Sequence, residues 1–65
     1  MTATVVRHKT LDDGFAVIVT TFLPSFAARV QQYKDLGRGH LSLEYEAVYD
    51  SEITAENTFT NLFGE

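Results

Sequence analysis

The chain has no cysteine, so disulfides and thiolate zinc sites are excluded from the outset. It has no apolar run near the roughly 20 residues that a bilayer-crossing helix needs. Its start, MTATVVRHKT, lacks the charged and then apolar pattern of a secretory signal. The expectation is therefore a soluble, cytoplasmic chain with no membrane partner. Only one proline and four glycines are present, all between patterned segments, and there is no repeat or low-complexity run. Basic residues are missing altogether after Arg38.

That last absence organises the charge. Residues 1–40 hold five bases against three acids, net +2, while residues 41–65 hold six acids and no Lys or Arg, net −6. The acidic half repels a phosphate backbone, which disfavours nucleic acid, and it favours a protein partner with a basic surface. At 65 residues, 45% hydrophobic, the chain is expected to form one domain over residues 1–65. A domain of this size buries only about 60% of its unfolded surface, so tight packing or a partner chain must supply part of its stability.

Residues 2–11 are rich in β-branched side chains and predict a strand. Asp12-Asp13-Gly14 predicts a turn, with Gly14 expected to take a positive φ. Residues 15–23 return as a second strand that is apolar on both faces. Phe15, Val17, Val19 and Leu23 fall on one, Ala16, Ile18 and Phe22 on the other. Such a strand is central and needs cover on both sides. Arg7, His8 and Lys9 mark the first strand as an edge.

Residues 24–37 predict a helix. Pro24 and Ser25 suit its start, Gly37 its end, and Phe26, Val30 and Tyr33 are spaced i, i+4, i+7. Residues 40–50 alternate, with Leu41, Leu43, Tyr45, Ala47 and Tyr49 on one side, which predicts a half-buried strand. A short last helix is expected from about Thr54, with Thr54 as N-cap and Gly64 as its stop. The expected fold is a small α+β domain in the order ββαβα. Its three-stranded, mostly antiparallel sheet would carry one long helix on one face and a short C-terminal helix. The predicted core is Val17, Val19, Phe22, Phe26, Val30, Tyr33, Leu41, Leu43, Tyr45 and Tyr49.

Catalytic and metal chemistry find little footing. His40, Glu44, Glu46 and Asp50 share one face of a predicted strand, but side chains two apart stand side by side instead of converging on a cation. His8 and His40 are the only histidines, with no motif beside them. GRGH (37–40) follows a predicted helix, so the helix dipole disfavours a phosphate there. No enzyme activity, metal or cofactor is expected.

The acids Glu44, Glu46, Asp50, Glu52 and Glu56 form the candidate partner-binding surface. Phe59, Leu62 and Phe63, at i, i+3, i+4, are either the last piece of core or a helix that docks into a partner's groove. ENTFTNLF (56–63) also resembles sliding-clamp-binding peptides, with Glu56 in place of their Gln and Leu62 in place of one aromatic. The expected function is a non-enzymatic interaction module, a small regulatory or inhibitory accessory protein of phage or mobile-element type. The alternative is a structural homo-oligomer that buries its sheet face or final helix between chains. A small-ligand binder or enzyme ranks below both.

Overall fold

The computed structural model describes residues 2–65. Four strands come first: β1 (Ala3–Leu11), β2 (Gly14–Thr21), β3 (Ala27–Gly37) and β4 (His40–Tyr49). One helix, α1 (Glu52–Phe63), ends the chain. The strands form a single antiparallel sheet in the order β1-β2-β3-β4, each paired with its sequence neighbour. The ββαβα expectation is thus overturned: the sheet has four strands instead of three, and the long helix over 24–37 does not form.

The segment read as that helix is β3. Its apolar spacing satisfies a helical period, but Ala28 and Val30 also alternate with Ala27, Arg29 and Gln31, which is a strand period. Hydrogen bonding decides between them. β2 has backbone donors and acceptors on both edges, and β1 can satisfy only one of them. β3 pairs the other edge from Gly14↔Lys34 to Thr21↔Ala27 and then carries β4 on its far side.

The hairpin turns differ in kind. Between β3 and β4, Arg38 (φ 57°) and Gly39 (φ 79°) both take positive φ inside the Gly37↔His40 pair. Positive φ at both central residues is the type I′ signature, whose twist matches the strands it joins. Gly37, expected to stop a helix, instead closes this turn, with Asp35 Oδ1 accepting from its backbone N–H at 2.8 Å. Gly14 does not take the positive φ expected of it; it is needed for room. A Cβ there would run into the Tyr33 carbonyl oxygen and lie 2.9 Å from Lys34 Cα.

α1 begins one turn earlier than expected. Ser51, not Thr54, is its N-cap, with the Ser51 hydroxyl accepting from the Thr54 N–H at 3.4 Å. Gly64 does end it, its N–H donating to the Thr60 carbonyl at 2.8 Å. The helix lies on one face of the sheet, where Ala55 and Phe59 close over Ala16, Ile18, Ala28 and Val30. Leu11, Phe26, Tyr49 and Phe63 pack around that cluster.

The core is therefore smaller than predicted. Of the ten expected residues, Val17 and Val30 are buried, whereas Phe22, Leu41, Leu43 and Tyr45 are exposed. A bulge explains the error in β4. The register slips between Gln32↔Tyr45 and Tyr33↔Leu43, which leaves Glu44 as the extra residue. Tyr45, Ala47 and Tyr49 stay on the helix side, but Leu41 and Leu43 cross to the other face. The clean alternation of the sequence spans a break that sends its two halves opposite ways.

Candidate functional site

The five candidate acids do not share one surface. Glu56 sits on α1 above β1 and forms an ion pair with Arg7 (2.7 Å), the one salt bridge among the described residues. Glu46 lies on the sheet face away from the helix and accepts from Gln31 Nε2 at 2.6 Å. Glu44 is the bulge residue of β4 and accepts from the Ser42 hydroxyl at 2.6 Å. Asp50 and Glu52 occupy the corner between β4 and α1, where Glu52 stands in the first turn of the helix and complements its dipole. Glu44, Asp50 and Glu52 are all exposed, so the β4 edge and its corner carry acid facing water.

Arg7 and Lys9 are two of the five bases of the basic half. α1 has no base in its last turn, and β1 supplies the missing cations from across the sheet. Arg7 Nη2 donates to the Gly64 carbonyl at 3.5 Å, and Lys9 Nζ donates to the Glu65 carbonyl at 3.2 Å. The Arg7 guanidinium also lies over the Phe59 ring, 4.7 Å from its centroid. Arg7 therefore meets a carboxylate, a ring and a helix-end carbonyl at once. These bases fasten the helix to the sheet.

The C-terminal stripe divides along its own length. Phe59 is fully buried and meets Phe63 edge-on, with centroids 5.1 Å apart. Phe63 is half-buried and Leu62 is exposed. A ring held inside the core is not free to enter a partner's groove, and only Leu62 faces outward.

Among the described residues, no element packs over the second face of the sheet, although Val17 near its centre is buried. From the register, three rows cross it from β1 to β4: Val5–Val19–Arg29–Val48, His8–Val17–Gln31–Glu46, and Thr10–Phe15–Tyr33–Leu43. Val5, Leu43 and Val48 are 59%, 49% and 55% exposed. Rings stack from strand to strand: His8 on Phe15 with centroids 5.4 Å apart, and Phe15 on Tyr33 at 5.2 Å. The Tyr33 hydroxyl donates to Gln31 Oε1 at 3.2 Å, and Gln31 in turn donates to Glu46. Arg29 Nη1 donates to the Thr21 hydroxyl at 3.2 Å. The sequence signalled this face through the two-sided apolarity of β2, which no single helix can cover. It gave no sign that Arg29, Leu43 and Val48 would join it, because those positions depend on β3 being a strand and on the β4 bulge.

A cleft of about 570 Å³ lies on the helix side, between the β1–β2 turn, Gln32 and Tyr45 of the sheet, and Leu62 and Phe63 of α1. Lys9, Asp12 and Asp13 rim it. It is a broad open trough, and neither histidine lines it. Among the described residues, no group of three or more His, Cys, Asp or Glu side chains is arranged to hold a metal ion. No helix among them is long and apolar enough to cross a membrane. No family model, curated protein or solved structure matches the chain.

Proposed function

We propose that this chain is a non-enzymatic protein-interaction module, a small regulatory or inhibitory accessory protein of the cytoplasm. It engages a basic surface of a partner protein through the acidic edge formed by β4 and its corner to α1. The observation that carries the reading is that Glu44, Asp50 and Glu52 are exposed and make no ion pair among the described residues, while Arg7 and Lys9 are engaged at the opposite edge. Charge of one sign along an edge steers a partner of the other sign and raises the rate of encounter more than the final affinity. The reading requires no cofactor, and the same acids oppose a nucleic-acid backbone.

The test is affinity capture from host extract with two baits, the native chain and a Glu44→Lys/Asp50→Lys/Glu52→Lys variant. A protein retained by the first and lost by the second supports the reading. Its association rate is then expected to fall about tenfold or more between low and high salt. A captured partner whose binding ignores both charge reversal and salt would refute it.

A further inference from the structure

We propose that the uncovered face of the sheet is the contact surface of a homodimer, in which two copies pack face to face about a two-fold axis. The inference stands apart from the partner reading, which needs only Glu44, Asp50 and Glu52.

Size is the first argument. The molecule is a slab of 34 × 27 × 15 Å. Its bare face is one whole side of the four-stranded sheet, broad enough for an identical sheet to lie against it. Seven of the twelve positions in the three rows are apolar or aromatic. Val5 and Val48 stand at opposite ends of one row and Leu43 at the end of another, all about half exposed. A second sheet packed about 10 Å above would remove them from water.

Charge is the second argument, and it identifies the occupant as a second copy. Arg29 and Glu46 are diagonal neighbours on β3 and β4, since Arg29 opposes Val48 and Gln31 opposes Glu46. They do not pair with each other; Arg29 bonds Thr21 and Glu46 bonds Gln31. Among the described residues neither forms an ion pair, so one face carries a base and an acid side by side. A two-fold axis lying in the interface and passing between them sets each opposite its complement on the other copy, which is the self-complementarity of an isologous interface. Two such symmetric pairs fix register more than they add affinity.

The sheet edges and the helix are weaker candidates, and the exposed Phe22, Leu23 and Leu36 lie near the ends of the sheet. Both sheet edges carry features that discourage strand addition, a bulge at Val6 in β1 and at Glu44 in β4, with charged side chains along each. The exposed apolar residues of α1, Ile53 and Leu62, are nine positions apart and so lie on opposite sides of the helix.

Sedimentation equilibrium of the full chain from about 1 to about 500 µM tests this. A dimer mass is expected at the upper end. Val48→Asp should weaken dimerisation by about 100-fold, and Val5→Asp serves in its place if circular dichroism shows that variant unfolded. Ile53→Asp, on the helix, should leave the dimer unchanged. Arg29→Glu and Glu46→Arg should each weaken it by about tenfold, and the double exchange should restore it. A monomer throughout, a dimer indifferent to Val48→Asp and Val5→Asp, equal weakening by Ile53→Asp, or no restoration by the double exchange would each overturn the proposal. So would a monomer that binds a single-stranded oligonucleotide through this face. Loss of the dimer in Val48→Asp with partner capture intact would separate this surface from the acidic edge.

Discussion

Replacing Phe59 with alanine tests the role of α1 as the cover of the core. Phe59 is fully buried against Ile18, Val30 and the small side chains of Ala16, Ala28 and Ala55, with Phe63 at its edge and the Arg7 guanidinium over its face. Truncating a buried phenylalanine costs about 3–5 kcal/mol through lost burial and the cavity left behind. Three alanines line the hole, and they cannot extend to fill it, so the upper half of that range applies. A 65-residue domain is stable by about 3–10 kcal/mol in total. Phe59→Ala should therefore lower the melting temperature by about 15 °C or more, or leave the chain largely unfolded at 25 °C. Urea and thermal unfolding followed by circular dichroism measure this directly. Leu62→Ala, on the same helix but half exposed, is the matched control and should cost under about 1 kcal/mol. If Phe59→Ala lost no more stability than Leu62→Ala, α1 would not be the lid of the core, and the stripe would regain its reading as a docking helix.

Gly14→Ala should cost several kcal/mol, about 3 or more, because the added methyl meets the β3 backbone and not a flexible side chain; chemical denaturation reads it. Arg38→Asn, at a positive-φ turn position with an exposed side chain, should raise stability by about 0.5–1 kcal/mol in the same assay. A loss there would contradict the type I′ turn. Glu56→Gln should cost about 0.5 kcal/mol at low salt and almost nothing in 1 M salt, since the Arg7–Glu56 pair is only partly shielded from water.

Local signals located the first hairpin, the central position of β2, the edge character of β1 and the stop of α1 at Gly64. Each depends on residues close in sequence: β-branched runs, a turn pair, a glycine after an apolar stripe. β3 was not legible because Phe26, Val30 and Tyr33 fit a helix as well as a strand, and its Ala, Gln, Lys and Arg are good helix formers. What outweighed propensity was the unsatisfied edge of β2, which no window around residue 30 contains. The bulge at Glu44 was equally hidden, since an alternating sequence looks the same whether or not its register slips once. The acids were visible as a run, but their division between two faces and an edge followed from that bulge and from the crossing of α1. The bare sheet face was half visible: β2 announced it, and β3 and β4 supplied its base, its acid and its exposed valine and leucine.

The reach of Arg7 has a consequence for how the chain is made. The strands pair only with sequence neighbours, so the sheet can assemble hairpin by hairpin as it leaves the ribosome. The contact between Arg7 and Glu56 spans 49 positions and cannot form until residues 52–63 have emerged. Until then Ile18 and Val30 lie bare to solvent on one side, and Phe15, Val19 and Val48 on the other. For that interval the nascent sheet is sticky on both surfaces, and synthesis of α1 removes only the one formed by Ile18 and Val30 from the risk of aggregation.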